Sequence, residues 1–125
     1  MAEVMTKEKI NRPVDPKNLT ESEKKHVPAI YVPKTITAGE AFEVVVKVGF
    51  IPHVMEEKHY IEWIELYLND QKIERVKLTP RNKQAEARFT VQADKSLAGK
   101  KAKLRALEHC NVHGAWEEFM DIQLS

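Results

Sequence analysis

The sequence predicts an all-β chain folded as a seven-stranded, immunoglobulin-like antiparallel β-sandwich. Three observations carry that expectation. About seven short apolar stretches with alternating side chains recur at even spacing. Turn residues separate them, and no stretch sustains the periodicity of an amphipathic helix.

Val27 to Val32 is extended and apolar, and Pro28 and Pro33 place it at a sheet edge. Thr37 to Glu40 is a turn. Phe42, Val44, Val46 and Val48 then alternate with Glu43, Val45 and Lys47, a period of two. Ile51 to His59 is a loop with one proline and several charges. Tyr60 to Leu68 is rich in aromatic and β-branched residues and reads as a central strand. Its alternation slips at Glu62-Trp63-Ile64, the mark of a bulge. Asn69-Asp70-Gln71 is a hairpin signal leading into a strand from Ile73 to Leu78, and Thr79 to Asn82 is a turn. Ala85, Ala87, Phe89 and Val91 alternate again. Ala102, Leu104 and Ala106 lead a further strand into Cys110, and the last strand carries Trp116, Met120, Ile122 and Leu124. Ahead of these, residues 1 to 24 are polar and broken by Pro13 and Pro16. They read as a surface arm before a domain of residues 25 to 125. Thr20-Glu21-Ser22-Glu23 has the spacing of a capping box that starts one helical turn; a polar segment without regular structure fits the same residues.

At 125 residues the chain is most simply one domain with enough length to bury its own core. Twenty basic and 19 acidic side chains nearly cancel, to +1, which argues against nucleic acid as a partner. No apolar run approaches the roughly 20 residues of a membrane span. A single cysteine forms no internal disulfide and suits a reducing compartment. Met1 to Lys7 lacks the apolar core of a signal peptide, so a soluble, cytoplasmic protein is expected.

The chemistry is concentrated in His109-Cys110-Asn111-Val112-His113-Gly114-Ala115-Trp116-Glu117. A thiol and an imidazole three residues apart, followed by glycine, suit a turn that folds both onto one metal ion. Alone, the pair fits a buried free cysteine beside an incidental histidine better than a metal site. Three more histidines change the balance: His53 and His59 bracket one loop, and His26 stands at the mouth of the first strand. Four imidazoles and one thiolate overfill a structural zinc site. Imidazole with thiolate suits iron or copper. On iron, four equatorial nitrogens and an axial sulfur leave a sixth position open. Ferrous iron with one thiolate keeps a charge of +1, which attracts a small anion, and Lys25 adds to that field. A thiolate opposite the open position pushes electron density toward whatever binds there.

Three segments together resemble the superoxide reductase family, the neelaredoxins and the iron domain of desulfoferrodoxins. They are Lys25-His26-Val27-Pro28; Pro52-His53 with Met55-Glu56-Glu57, His59-Tyr60-Ile61 and Trp63-Ile64; and Cys110-Asn111 with His113-Gly114 and Trp116-Glu117. The resemblance runs from about Lys24 to the C-terminus. It implies one mononuclear iron, cycling between Fe2+ and Fe3+, with His26, His53, His59 and His113 equatorial and Cys110 axial. It implies that His113 binds through Nδ1 and the other histidines through Nε2. Amides of Val112 and His113 are then expected to donate to the sulfur. It also implies Lys25 as a catalytic residue and reduction of superoxide to hydrogen peroxide. A rubredoxin-like electron donor and a homo-oligomer, tetramer or dimer, are implied as well.

The family commonly carries a glutamate directly before the lysine, as a sixth ligand to ferric iron. Here that position is Lys24, and Glu23 is one residue too early, so an open or water-filled sixth position is expected. There is no preceding four-cysteine module, so one metal centre per chain is expected. His109 should point away from Cys110, behind the ligands or at the surface rather than as a ligand. Trp63, Trp116 and Met55 read as packing residues, and Glu56, Glu57 and Lys58 as a solvated loop face. Competing readings are a blue-copper electron carrier with Met120 as axial ligand, a metal-free binding sandwich, and a Cys-His hydrolase, which lacks an orienting acid.

Overall fold

The computed structural model describes residues 10–15 and 17–125. Residues 1–9 and Pro16 of the polar arm lie outside the described residues. Among the described residues there are eight strands: β1 (Ile10–Asn11), β2 (Pro28–Tyr31), β3 (Ala41–Val48), β4 (Ile61–Leu68), β5 (Gln71–Lys77), β6 (Glu86–Gln92), β7 (Lys101–Cys110) and β8 (Gly114–Gln123). A six-residue helix, α1 (Glu21–His26), precedes β2, and a 3-10 turn spans Lys95–Leu97. The strands form two sheets, ordered β1-β8-β7-β4-β5 and β2-β3-β6. The all-β sandwich is therefore the fold, with strands β2 to β8 where the alternation predicts them. β1, a two-residue parallel addition to β8, is the element the sequence did not announce.

Alternation explains the layers. Phe42, Val44, Val46 and Val48 of β3 turn inward against Ala87, Phe89 and Val91 of β6. Ile64, Leu66 and Leu104 meet them from the other sheet, fully buried. Burying a side chain of this size contributes roughly 1.5–3 kcal/mol. β4 is central, flanked by β5 and β7, and its register against β7 slips between Ile61 and Trp63. That slip is the expected bulge, and it leaves Ile61 opposite Cys110 and Trp63 opposite His109. β2, which begins at Pro28 and stops short of Pro33, is an edge strand.

The capping box forms in full. The Thr20 side chain accepts from the Glu23 amide, and the Glu23 carboxylate accepts from the Thr20 amide. The helix then ends at His26. The Lys24 carbonyl, released at the helix end, accepts the amides of Phe50 and Ile51 at 2.6 and 3.1 Å. The turn after β3 is thereby fastened to α1, which brings His53 to His26.

Candidate metal centre

Four local devices deliver the five candidate ligands. His26 is the last residue of α1. His53 follows the turn docked on that helix. His59 closes a tight turn in which Glu56 and His59 exchange both backbone hydrogen bonds at 2.9 Å. Cys110 and His113 sit on the β7–β8 hairpin, where Cys110 pairs with Gly114 across the three-residue loop. Gly114 has φ +82°, a left-handed backbone that a side chain would strain.

These devices bring His26, His53, His59, Cys110 and His113 together, with one ligand atom from each within 4.8 Å of all the others. The imidazoles form a closed square. Ring centroids are 4.8 Å apart for His26–His53, 4.7 Å for His53–His59, 4.9 Å for His59–His113 and 4.7 Å for His113–His26. The Cys110 sulfur lies 3.6 Å from His53 Nε2 and 3.7 Å from His113 Nδ1, fully buried. A cleft of about 440 Å³ opens on the square, lined by all four histidines but not by the fully buried Cys110.

The hydrogen bonds test whether this donor set fits a metal. His26 Nδ1 donates to the Ser22 carbonyl at 2.8 Å, and His53 Nδ1 donates to the Val54 carbonyl at 2.7 Å. In the neutral rings both Nε2 atoms are then bare acceptors, yet they face each other at 3.2 Å. Two acceptors at that distance do not bond to one another. His26 Nε2 is also 3.1 Å from His113 Nδ1, and His59 Nε2 is buried without a partner among the described residues. Bare nitrogens brought this close, with the opposite nitrogens of His26 and His53 held by backbone carbonyls, fit a metal ligand set.

Electrostatics agree. Burial pushes the His26 pKa down, and with the neighbouring histidines it takes His53 to about 4, so both are neutral at pH 7. Burial pushes the Cys110 thiol up, with Glu108 adding to the rise. The amides of His113, at 3.4 Å from the sulfur, and of Val112 pull the other way.

Lys25 lines the cleft beside Glu21, Ser22, Pro52 and Val54. Glu21 was not anticipated. Its signal was its spacing, four residues before Lys25 on one helical face. Glu23 does not turn to the site: its two carboxylate oxygens accept the amides of Thr20 at 2.8 Å and Val14 at 3.1 Å. These amides hold its carboxyl below the usual range. His109 points outward, bonded to Glu62 at 2.6 Å and stacked on Trp63. Trp116 is buried and stacks on His26 at 5.1 Å. Met120 and Met55 are partly buried and pack against the core.

Known proteins share this arrangement of chain. The desulfoferrodoxin family profile matches residues 18–119. The chain is 44% identical over 105 residues to a relative from Methanocaldococcus jannaschii, covering 84% of this chain and 88% of that protein. It is 36% identical over 106 residues to the superoxide reductase of Pyrococcus abyssi, covering 79% of this chain and 88% of that protein. Among solved structures, the superoxide reductase (neelaredoxin) from Ignicoccus hospitalis matches with a TM-score of 0.76 and 31% identity, over 93% of this chain and 95% of that one.

Proposed function

The chain belongs to the desulfoferrodoxin family of superoxide reductases, and on that premise we propose that His26, His53, His59, His113 and Cys110 hold one iron ion. The reaction takes one superoxide, one electron and two protons to hydrogen peroxide. The observation that carries the ligand assignment is the convergence of bare nitrogens: His26 and His53 Nε2 at 3.2 Å, with the buried His59 Nε2 beside them. When bound, ferrous iron supplies the electron and a position where the substrate can be reduced.

The residues of the chain do the rest. The Ser22 and Val54 carbonyls fix the tautomers of His26 and His53, so that Nε2 is always the free atom. Cys110 would supply the anionic donor of the set, and the His113 and Val112 amides temper its charge. Lys25 places a cation on the cleft wall, where it draws in a small anion. Glu21 on the same wall partly offsets that field. The engagement of Glu23 with Thr20 and Val14 supports a sixth position without a carboxylate from this helix turn.

Metal analysis and a superoxide pulse test the proposal. One iron per chain, and bleaching or return of the sulfur-to-iron visible band as the centre changes oxidation state, are expected. Stoichiometric copper in its place would transfer the reading to an electron carrier. Among the described residues no helix is long and apolar enough to cross a membrane.

A further inference from the structure

We propose that the outer face of the five-stranded sheet docks an acidic one-electron carrier protein, and that the electron enters beside Cys110 rather than through the cleft. The inference rests on the superoxide reductase reading, because each turnover there consumes one electron.

Directly opposed residues on antiparallel strands share a face, so the register maps this surface. β5 contributes Lys72, Arg75 and Lys77; β7 contributes Lys101, Lys103 and Arg105. Arg12 joins them over Phe119. Four carboxylates oppose these seven cations: Glu62, Glu65, Glu117 and Asp121. The excess is three positive charges on one face of a chain whose formal balance is +1. Two of the carboxylates are buried beneath their partners. Glu65 lies under Lys72 and Arg75, and Glu117 under Arg105 and Arg12. A visitor therefore meets the cations. Such a face repels a second copy of itself and draws an acidic partner.

The same face reaches the centre. Arg75 lies 4.1 Å over the Trp63 ring, and Trp63 stacks on His109 with centroids 5.6 Å apart. His109 immediately precedes Cys110, whose side chain turns inward to the imidazole square. The stack thus runs from the cationic surface to the peptide that carries the thiolate. The cleft is lined by the four histidines and by none of Trp63, His109 and Cys110. Donor and superoxide then approach from different sides and do not exclude each other. In the step itself the carrier loses one electron and ferric iron gains it; no bond is made or broken.

Lys77 and Lys103 are suited to a test, since neither belongs to the ion groups around Glu65 and Glu117. The iron-loaded protein is reduced by an acidic rubredoxin in stopped flow over a range of ionic strength. The Lys77→Glu, Lys103→Glu double variant should be reduced about tenfold more slowly at low salt, with a flatter salt dependence. Its pre-reduced form should meet a superoxide pulse at the wild-type rate. Lys58→Glu, on the turn that carries His59, should leave reduction by rubredoxin unchanged. Slowing by Lys58→Glu and not by the double variant overturns the proposal in favour of donor entry at the cleft. A double variant that changes oligomeric state in sedimentation overturns it in favour of a subunit interface. A wild-type protein that ignores superoxide fails the underlying reading instead, whatever rubredoxin does.

Discussion

Gly49 is wedged against the carbonyl of Lys25: a β-carbon on Gly49 would stand 2.6 Å from that oxygen, with the Ile51 and Lys24 carbonyls at 2.5 and 2.9 Å. Its φ is +85°, and its amide donates to the Val27 carbonyl. This is the joint that seats the His53 loop on the His26 helix. Left-handed backbone with a β-carbon costs about 1–2 kcal/mol, and here three rigid carbonyls must also move. Gly49→Ala is expected to lower the melting temperature by several degrees and to lower iron content. Calorimetry and metal analysis on one preparation would check both. Lost stability with full iron content would show that the joint serves the fold alone.

Glu23 supplies a second test. Because its carboxylate caps Thr20 and Val14, Glu23→Gln should leave azide affinity for the ferric protein unchanged while weakening the fold. The folded-state pKa of Glu23 is lowered, so its contribution is present above the unfolded carboxylate value and fades as pH falls through the folded value. The variant should therefore lose part of the stability gained between acid and neutral pH. Tighter azide binding in Glu23→Gln would mean that the carboxylate reaches the metal.

The fold was legible because its strands alternate: Val44, Val46, Ala87 and Phe89 read as inward residues and are buried. Even the slip near Trp63 was readable as a bulge. β1 was hidden because two polar-flanked residues carry no period. What joins Ile10 and Asn11 to β8 is pairing, supported by the ion pair of Arg12 with Glu117. The five chemical side chains stood out by type, while their supports did not. The carbonyls of Ser22 and Val54 act through the backbone, which any residue type provides. Glu65 and Glu117 lie on the outer face of their sheet, yet both are buried under their cations.

Asn111 holds His59 from both sides. Its side-chain oxygen accepts the Tyr60 amide at 2.9 Å, and its side-chain nitrogen donates to the Lys58 carbonyl at 3.2 Å. It thus locks the cysteine hairpin to the turn carrying His59. Asn111→Ala should keep the fold but reduce iron affinity by about 10–100-fold, the usual cost of losing a support behind a ligand. Chelator competition would measure it. Unaltered iron release would separate the bracket from the centre.

Lys25 stands on the cleft wall with Glu21 on the same helix. Lys25→Ala should slow the bimolecular reaction of the reduced protein with superoxide, roughly severalfold at low salt, and weaken its salt dependence. Glu21→Gln should act in the opposite direction. Pulse radiolysis across ionic strengths is the measurement. Equal rates in all three proteins would deny the cleft an electrostatic role.

Cys110 ties the metal to proton release. Burial raises its pKa, so the metal-free protein carries a thiol at neutral pH, and the metal must displace that proton to gain a thiolate. His26 and His53 are already neutral, because burial lowers their pKa values, and give up nothing at pH 7. Ferrous iron added to the metal-free wild type should therefore release one proton more than the same addition to Cys110→Ser, read with an indicator dye in weak buffer. The variant should also lose the sulfur-to-iron band once oxidised. Equal proton release in the two proteins would mean that the sulfur stays protonated, and the thiolate would then have no part in pushing electrons toward the cleft.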